Sequence, residues 1–365
     1  VGALFAILQL TRRVLGVLAG WLGDKYGAAQ ILSAGLGLES VAYVWFTFAG
    51  RSFLAWAAAF ALLGFGGAMN NNGSRTLITA GRSAASAVNL SRYYVSINLA
   101  GLIGPLIGSA LLTAGLARIG FLAAAGLHVL FGGASVILLS GMAAPDARSV
   151  KLSNMADGLR DRALLYYCGL AVGGWFLISQ YRIALPLAIV HQKLSGGWLG
   201  PLTALNAIIC MIAVSLIGKW IAKRGTIARL DVLTISGVVL GGGWLLCSFG
   251  GLGPLAAAVI VTSLGESLFC SVLDAVVVTM APRGATGLYL GYSALAWGIG
   301  GMLAGFTGGL FDLAVRHGVV IGFWGGLAAV GVAAAAGTRR GYRYFNAVIV
   351  ERQAAAAPES SAVSG

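Results

Sequence analysis

Gly20-Trp21-Leu22-Gly23-Asp24-Lys25-Tyr26-Gly27 marks the junction between an apolar stretch over residues 1–22 and a second over residues 29–49. Each stretch is long enough to cross roughly 30 Å of hydrocarbon as a helix. The glycines and the adjacent Asp24 and Lys25 make a tight polar turn, and such a turn does not sit in lipid. The octapeptide is therefore read as the loop of a membrane hairpin.

The rest of the chain repeats that pattern. Of 365 residues 58% are hydrophobic and 10% charged, with a mean hydropathy of +0.89, whereas soluble domains carry about a quarter charged residues. Apolar windows bounded by charges, Gly and Pro give eleven spans, at residues 1–22, 29–49, 52–72, 91–112, 119–141, 163–190, 198–220, 230–249, 252–281, 286–311 and 318–337. The fold class is thus all-α and membrane-embedded. The charged interval 143–162 divides the spans into an N-terminal bundle, 1–142, and a C-terminal bundle, 163–337, with 338–365 read as a cytoplasmic tail. Fifty-six glycines suit close helix packing in a bilayer.

The net charge of +13 does not indicate nucleic acid, because no water-facing domain exists to carry a basic patch. It indicates orientation instead. Of the 24 Lys and Arg, Arg12, Arg13 and Arg182 fall within spans, and Arg51, Arg118, Lys193 and Arg316 fall in alternate loops. The remaining 17, Arg75 among them, lie on the side of the Asp24 turn. That side is cytoplasmic by the positive-inside rule. Cys168, Cys210, Cys247 and Cys270 stand in four separate spans and read as small hydrophobes, and His128, His191 and His317 are scattered. No metal, cofactor, catalytic triad or phosphate loop is expected, and the chain is not read as an enzyme.

Overlaying the halves at an offset of about 200 residues places Gly20, Lys25 and Gly27 on Gly218, Lys223 and Gly225, and Gly101 and Gly108 on Gly301 and Gly308. Two similar bundles in one chain are the architecture of alternating-access carriers. The Gly20–Gly27 octapeptide resembles the G-x-L-x-D-R/K-x-G loop of the major facilitator superfamily, between that family's second and third helices. The resemblance implies a further helix before Val1, twelve in all, and both termini inside. It also implies that Asp24 meets the cytoplasmic N-terminus of the helix that starts near Ala285, latching the halves, with Gly20, Lys25 and Gly27 shaping the loop. Gly101-Leu102-Ile103-Gly104-Pro105-Leu106-Ile107-Gly108-Ser109 resembles the fifth-helix signature of proton-coupled drug antiporters, with Ser109 in place of the last glycine. Those antiporters also carry an arginine in the outer half of the fourth helix, whereas span 52–72 holds none and the nearest is Arg75.

An ionisable side chain at the middle of a spanning helix costs at least about 2.5–3.5 kcal/mol unless paired or hydrated. Glu266 lies near the middle of its span, Asp274 eight residues nearer the cytoplasm, and Arg182 about 12 Å from the outer end of its own span. Glu266 and Arg182 face each other or the substrate, or form a static pair. Arg12, Arg13 and Glu39 reach equal depth on the first hairpin, which permits an ion pair, and one arginine can reach a central cavity. Gln9, Asn70, Asn71, Asn72, Tyr93, Asn98, Gln180, Tyr181, Asn206, Tyr289, Tyr292 and Trp297 complete the candidate pocket.

The sequence therefore reads as a monomeric secondary transporter of the bacterial cytoplasmic membrane, surrounded by lipid. It exports small, partly hydrophobic compounds, in exchange for protons. A metabolite symporter or facilitator is the alternative within transport, and a transport-inactive sensor with the same fold is the alternative outside it.

Overall fold

The computed structural model describes residues 2–50, 52–79, 84–139, 158–282 and 285–354. Residues 143–157 of the expected linker and the tail from 355 lie outside the described residues. The first half holds α1 (Gly2–Tyr26), α2 (Ala28–Phe48), α3 (Phe53–Thr79), α4 (Ala84–Thr113) and α5 (Ala117–Leu139). The second half holds α6 (Arg162–Ser179), α7 (Ala184–His191), α8 (Leu199–Ala222), α9 (Thr226–Leu245), α10 (Leu252–Met280), α11 (Thr286–Gly305), α12 (Thr307–Arg316) and α13 (Val320–Ala354).

These helices make eleven bilayer-length segments, because α6 with α7, and α11 with α12, each form one broken span. Nine are long and apolar enough to cross a membrane by length and composition. The other two, α1 and α4, have 25 and 30 residues, which is also sufficient at about 1.5 Å per residue.

The two breaks were not expected from the continuous spans 163–190 and 286–311. A 3-10 turn, Gln180–Arg182, interrupts the first, and the second bends at Phe306. Thr307 donates its hydroxyl to Gln180 Oε1 at 2.9 Å, and Gln180 donates to the Phe176 carbonyl. Side chains thus occupy polar positions that broken helices leave open in lipid.

Residues 338–354, expected as tail, are the last turns of α13 and pack inward. Phe345 and Ile349 are buried, and Tyr166 donates to the Gly337 carbonyl at 2.7 Å. The densest core lies in the second half, around Trp244, Trp324, Tyr167 and Leu240. Between the halves α1 packs on α11 and α4 on α8. A cavity opens between these two seams on the outer side, and the charged contacts below close the inner side.

Candidate functional site

The inner seal starts at the α1–α2 turn. Gly27 has φ 101°, a conformation that a side chain would strain, so the helix can end at Tyr26 and restart at Ala28. The turn holds Asp24 buried, and its carboxylate accepts from Gly287 N–H at 2.8 Å and Leu288 N–H at 2.7 Å. These are among the first amides of α11, which have no intrahelical acceptor, and its N-cap residue, Ala285, offers no side chain to cap them. A carboxylate from the opposite half caps α11 in trans. Lys25 lies over the rings of Trp21 and Tyr26, at 4.9 and 5.0 Å, and makes no ion pair with Asp24.

A second cross-half contact lies deeper. Arg75 of α3 forms a two-pronged ion pair with Asp274 of α10: Nε donates to Oδ2 at 2.9 Å and Nη2 donates to Oδ1. Tyr94 of α4 donates its hydroxyl to the same Oδ2 at 2.9 Å. All three side chains are buried. A pair removed from water to this degree is held by geometry and hydrogen bonds more than by net Coulomb gain. Arg75 was assigned to the cytoplasmic loops with the other basic residues; α3 instead continues through it to Thr79 and turns it inward.

Above this seal lies a cavity of about 530 Å³. Its walls are apolar and aromatic, with Ile97, Trp175, Ile178, Tyr181, Leu199 and Trp297, and its polar groups are Asn98, Ser179, Arg182, Thr203, Asn206 and Glu266. Tyr94 forms part of its floor. Glu266 Oε2 accepts from Asn206 at 3.0 Å, and Asn206 also donates to Ser263 Oγ at 3.0 Å. Tyr181 is tied to α10 through the Val259 carbonyl, Thr262 and Ser263. Arg182 and Glu266 line one cavity without forming an ion pair. Trp297 stacks on Trp175 at 4.3 Å, and the Arg13 guanidinium from α1 lies 3.4 Å over the Trp297 ring.

With that geometry in hand, known proteins locate the family. The model of the Major Facilitator Superfamily matches residues 1–305. This chain belongs to the Major Facilitator Superfamily. It is 25% identical over 328 residues to the multidrug resistance protein MdtH of Edwardsiella ictaluri, a match covering 86% of this chain and 78% of MdtH. MdtH of Yersinia pestis is 25% identical over 324 residues, covering 85% and 76%. Among solved structures it is similar to the human organic anion transporter MFSD10 (TETRAN), with TM-score 0.75, 17% identity, and coverage of 92% of this chain and 83% of that one. It is also similar to the E. coli fucose:proton symporter FucP, with TM-score 0.72, 12% identity, and coverage of 94% and 90%. The chain is a multi-pass membrane transporter of this superfamily and not an enzyme.

In the superfamily fold several of the expected site residues fall into two groups. Glu266, Arg182, Tyr181, Asn98 and Gly101 line the cavity, while Asp24 and Asp274 close the inner side. Gln180 does not reach the cavity; it is fully buried at the helix break. Arg12 and Glu39 do not pair. Arg12 rests on α3 where Gly67 leaves room, and Glu39 accepts from Asn70 at 2.8 Å and faces His128 at 3.7 Å. Gly104 and Gly108 have open space where a Cβ would lie, and the side chains of Pro105 and Gln9 lie outside the described residues. Sequence reasoning missed Tyr94, and it missed the partnership of Arg75 with Asp274, 199 residues apart. The one local signal was an unbroken helical run from Phe53 past Arg75, with no Pro to stop it.

Proposed function

We propose that this transporter exports small, partly hydrophobic compounds across the cytoplasmic membrane in exchange for protons, with Glu266 as the carboxylate that a proton and the substrate occupy alternately. The observation that carries this reading is the cavity. It offers aromatic and aliphatic walls, few polar groups, and a single carboxylate at mid-membrane depth beside an arginine that is not its ion-pair partner. Such walls favour ligands that desorb from lipid, and few directed hydrogen bonds make for tolerant recognition. The relatives named multidrug resistance proteins support the same direction of transport and substrate class.

Alternating access then requires the inner seal to open as the outer cavity closes. In inverted vesicles an imposed pH gradient should drive a lipophilic dye inward through the wild-type protein. Glu266→Gln should abolish gradient-driven movement while dye exchange without a gradient survives. Glu266→Gln combined with Arg182→Gln checks for a purely structural pair: restored expression together with wild-type gradient-driven transport would overturn the proposal.

A further inference from the structure

We propose that Asp274 is a second proton-binding site of the transport cycle, and that the proton it takes from the outer cavity displaces Arg75 and unlocks the cytoplasmic seal. The inference rests on the proton-coupled reading above and concerns a residue outside the substrate walls.

Three observations carry it. First, the Arg75–Asp274 pair joins α3 of one half to α10 of the other, so it cannot persist when the halves separate on the inner side. Breaking it with both charges intact would leave each buried without its partner, a heavy penalty for a buried pair. Second, Tyr94 stands between Asp274 and the cavity. Tyr94 is one of the residues that line the cavity, and its hydroxyl donates to Asp274 Oδ2. Third, Oδ2 is the oxygen that also accepts from Arg75 Nε. A proton and the guanidinium therefore compete for one atom.

The step balances as a relay. Tyr94 passes its hydroxyl proton to Oδ2 and takes one from a hydronium of the outer cavity, which leaves as water, so the tyrosine ends neutral and the carboxyl is protonated. The new Oδ2–H donates back to the Tyr94 oxygen, and Arg75 Nε loses its acceptor. The titratable and charged groups facing Asp274 are Arg75 from α3, Tyr93 and Tyr94 from α4, Tyr167 from α6, whose hydroxyl bonds to the Leu273 carbonyl, and Cys270 one turn away on α10. Arg75 is the group whose charge changes partner. An unprotonated carrier stays locked in the conformation described here, so an empty carrier does not return inward without its proton.

Spin labels at Gln30→Cys on α2 and Lys219→Cys on α8, both exposed at the inner ends of opposite halves, report opening of the seal in a background without the four native cysteines. The parent should show a short distance at the higher of two pH values and a growing long-distance population at the lower. Asp274→Asn should show the long distance at both pH values, with the pH response lost. Because lone Arg75 can impair folding, Arg75→Gln with Asp274→Asn is measured alongside and should also lose the response. A parent-like pH response in either variant overturns the proposal. If dye export proves independent of the gradient while Asp274→Asn still abolishes the distance response, the lock stands and the export reading falls. Normal gradient-driven export with an unchanged response in Asp274→Asn gives the reverse.

Discussion

Asp161 illustrates how one side chain organises the inner surface. It N-caps α6, accepting from Ala163 N–H at 3.0 Å and Leu164 N–H at 3.2 Å. Its other oxygen accepts from Tyr289 of α11 and from Arg352 of α13 at 2.7 Å. Burial pushes this carboxyl up, but the hydrogen bonds from Tyr289, Leu164 N–H and Arg352 outweigh it and hold the group below the usual aspartate range. A depressed carboxyl stabilises the fold above its unfolded pKa of about 3.9, and that contribution fades as pH falls through the lower folded value. Asp161→Ala should therefore lower the apparent Tm in detergent at pH 7, by an amount matching about 1 kcal/mol for the lost cap. The difference from wild type should shrink as the pH is taken below about 4, toward the folded carboxyl's own titration. A difference that grew on acidification would refute this account.

At the scale of helices, the α1–α11 crossing depends on backbones touching. A Cβ on Gly287 would lie 2.6 Å from the Gly20 carbonyl oxygen and 2.9 Å from Asp24 Oδ1, and one on Gly291 would lie 2.7 Å from the Gly16 carbonyl oxygen. In lipid, where association rests on such close packing, even a methyl group must push the helices apart. Gly287→Ala should loosen the inner seal, read as an enlarged long-distance population for the Gln30→Cys and Lys219→Cys labels. Gly101→Ala is the contrast, because nothing lies within 4 Å of the Cβ position there. It should leave that distance unchanged and raise helix stability by up to about 1 kcal/mol. Equal responses from the two would refute the crossing argument.

For the whole molecule, the two seams are exchanged by the internal repeat. Under the offset of about 200 residues α1 corresponds to α8 and α4 to α11, so the α1–α11 contact maps onto the α4–α8 contact. The copies have diverged in charge: Asp24 caps α11 across the first seam, whereas Ala222 occupies the acidic position of the second copy. The inner latch is therefore one-sided. Asp24→Asn keeps the shape but removes the charge that favours a helix N-terminus, on the order of 1 kcal/mol, or about a fivefold change in population. Increased labelling of inner-side cysteines with insertion intact is the expected result. Unchanged labelling and transport would show that the capping contact carries no conformational weight.

The sequence by itself determined the membrane class and the eleven segments, because hydropathy and helix-breaking residues are local properties; that the acid of the Gly-bounded loop reaches α11 followed from the resemblance to the superfamily's loop and not from the residues alone. Glu266 and Arg182 were legible as cavity residues for the same reason: an ionisable group in an apolar span stands out at once. Only the tertiary structure decided who meets whom. Arg75 read as one more inner-loop cation until α3 carried it onto Asp274, and Tyr94 drew no notice in the sequence until the fold stood it between that carboxylate and the cavity. Gln180 went the other way, from pocket to helix-break brace, because the rotation introduced by a 3-10 turn is not written in spacing. Depth follows from counting residues along one helix, whereas pairing depends on the rotation and approach of two helices, and packing between distant segments sets those.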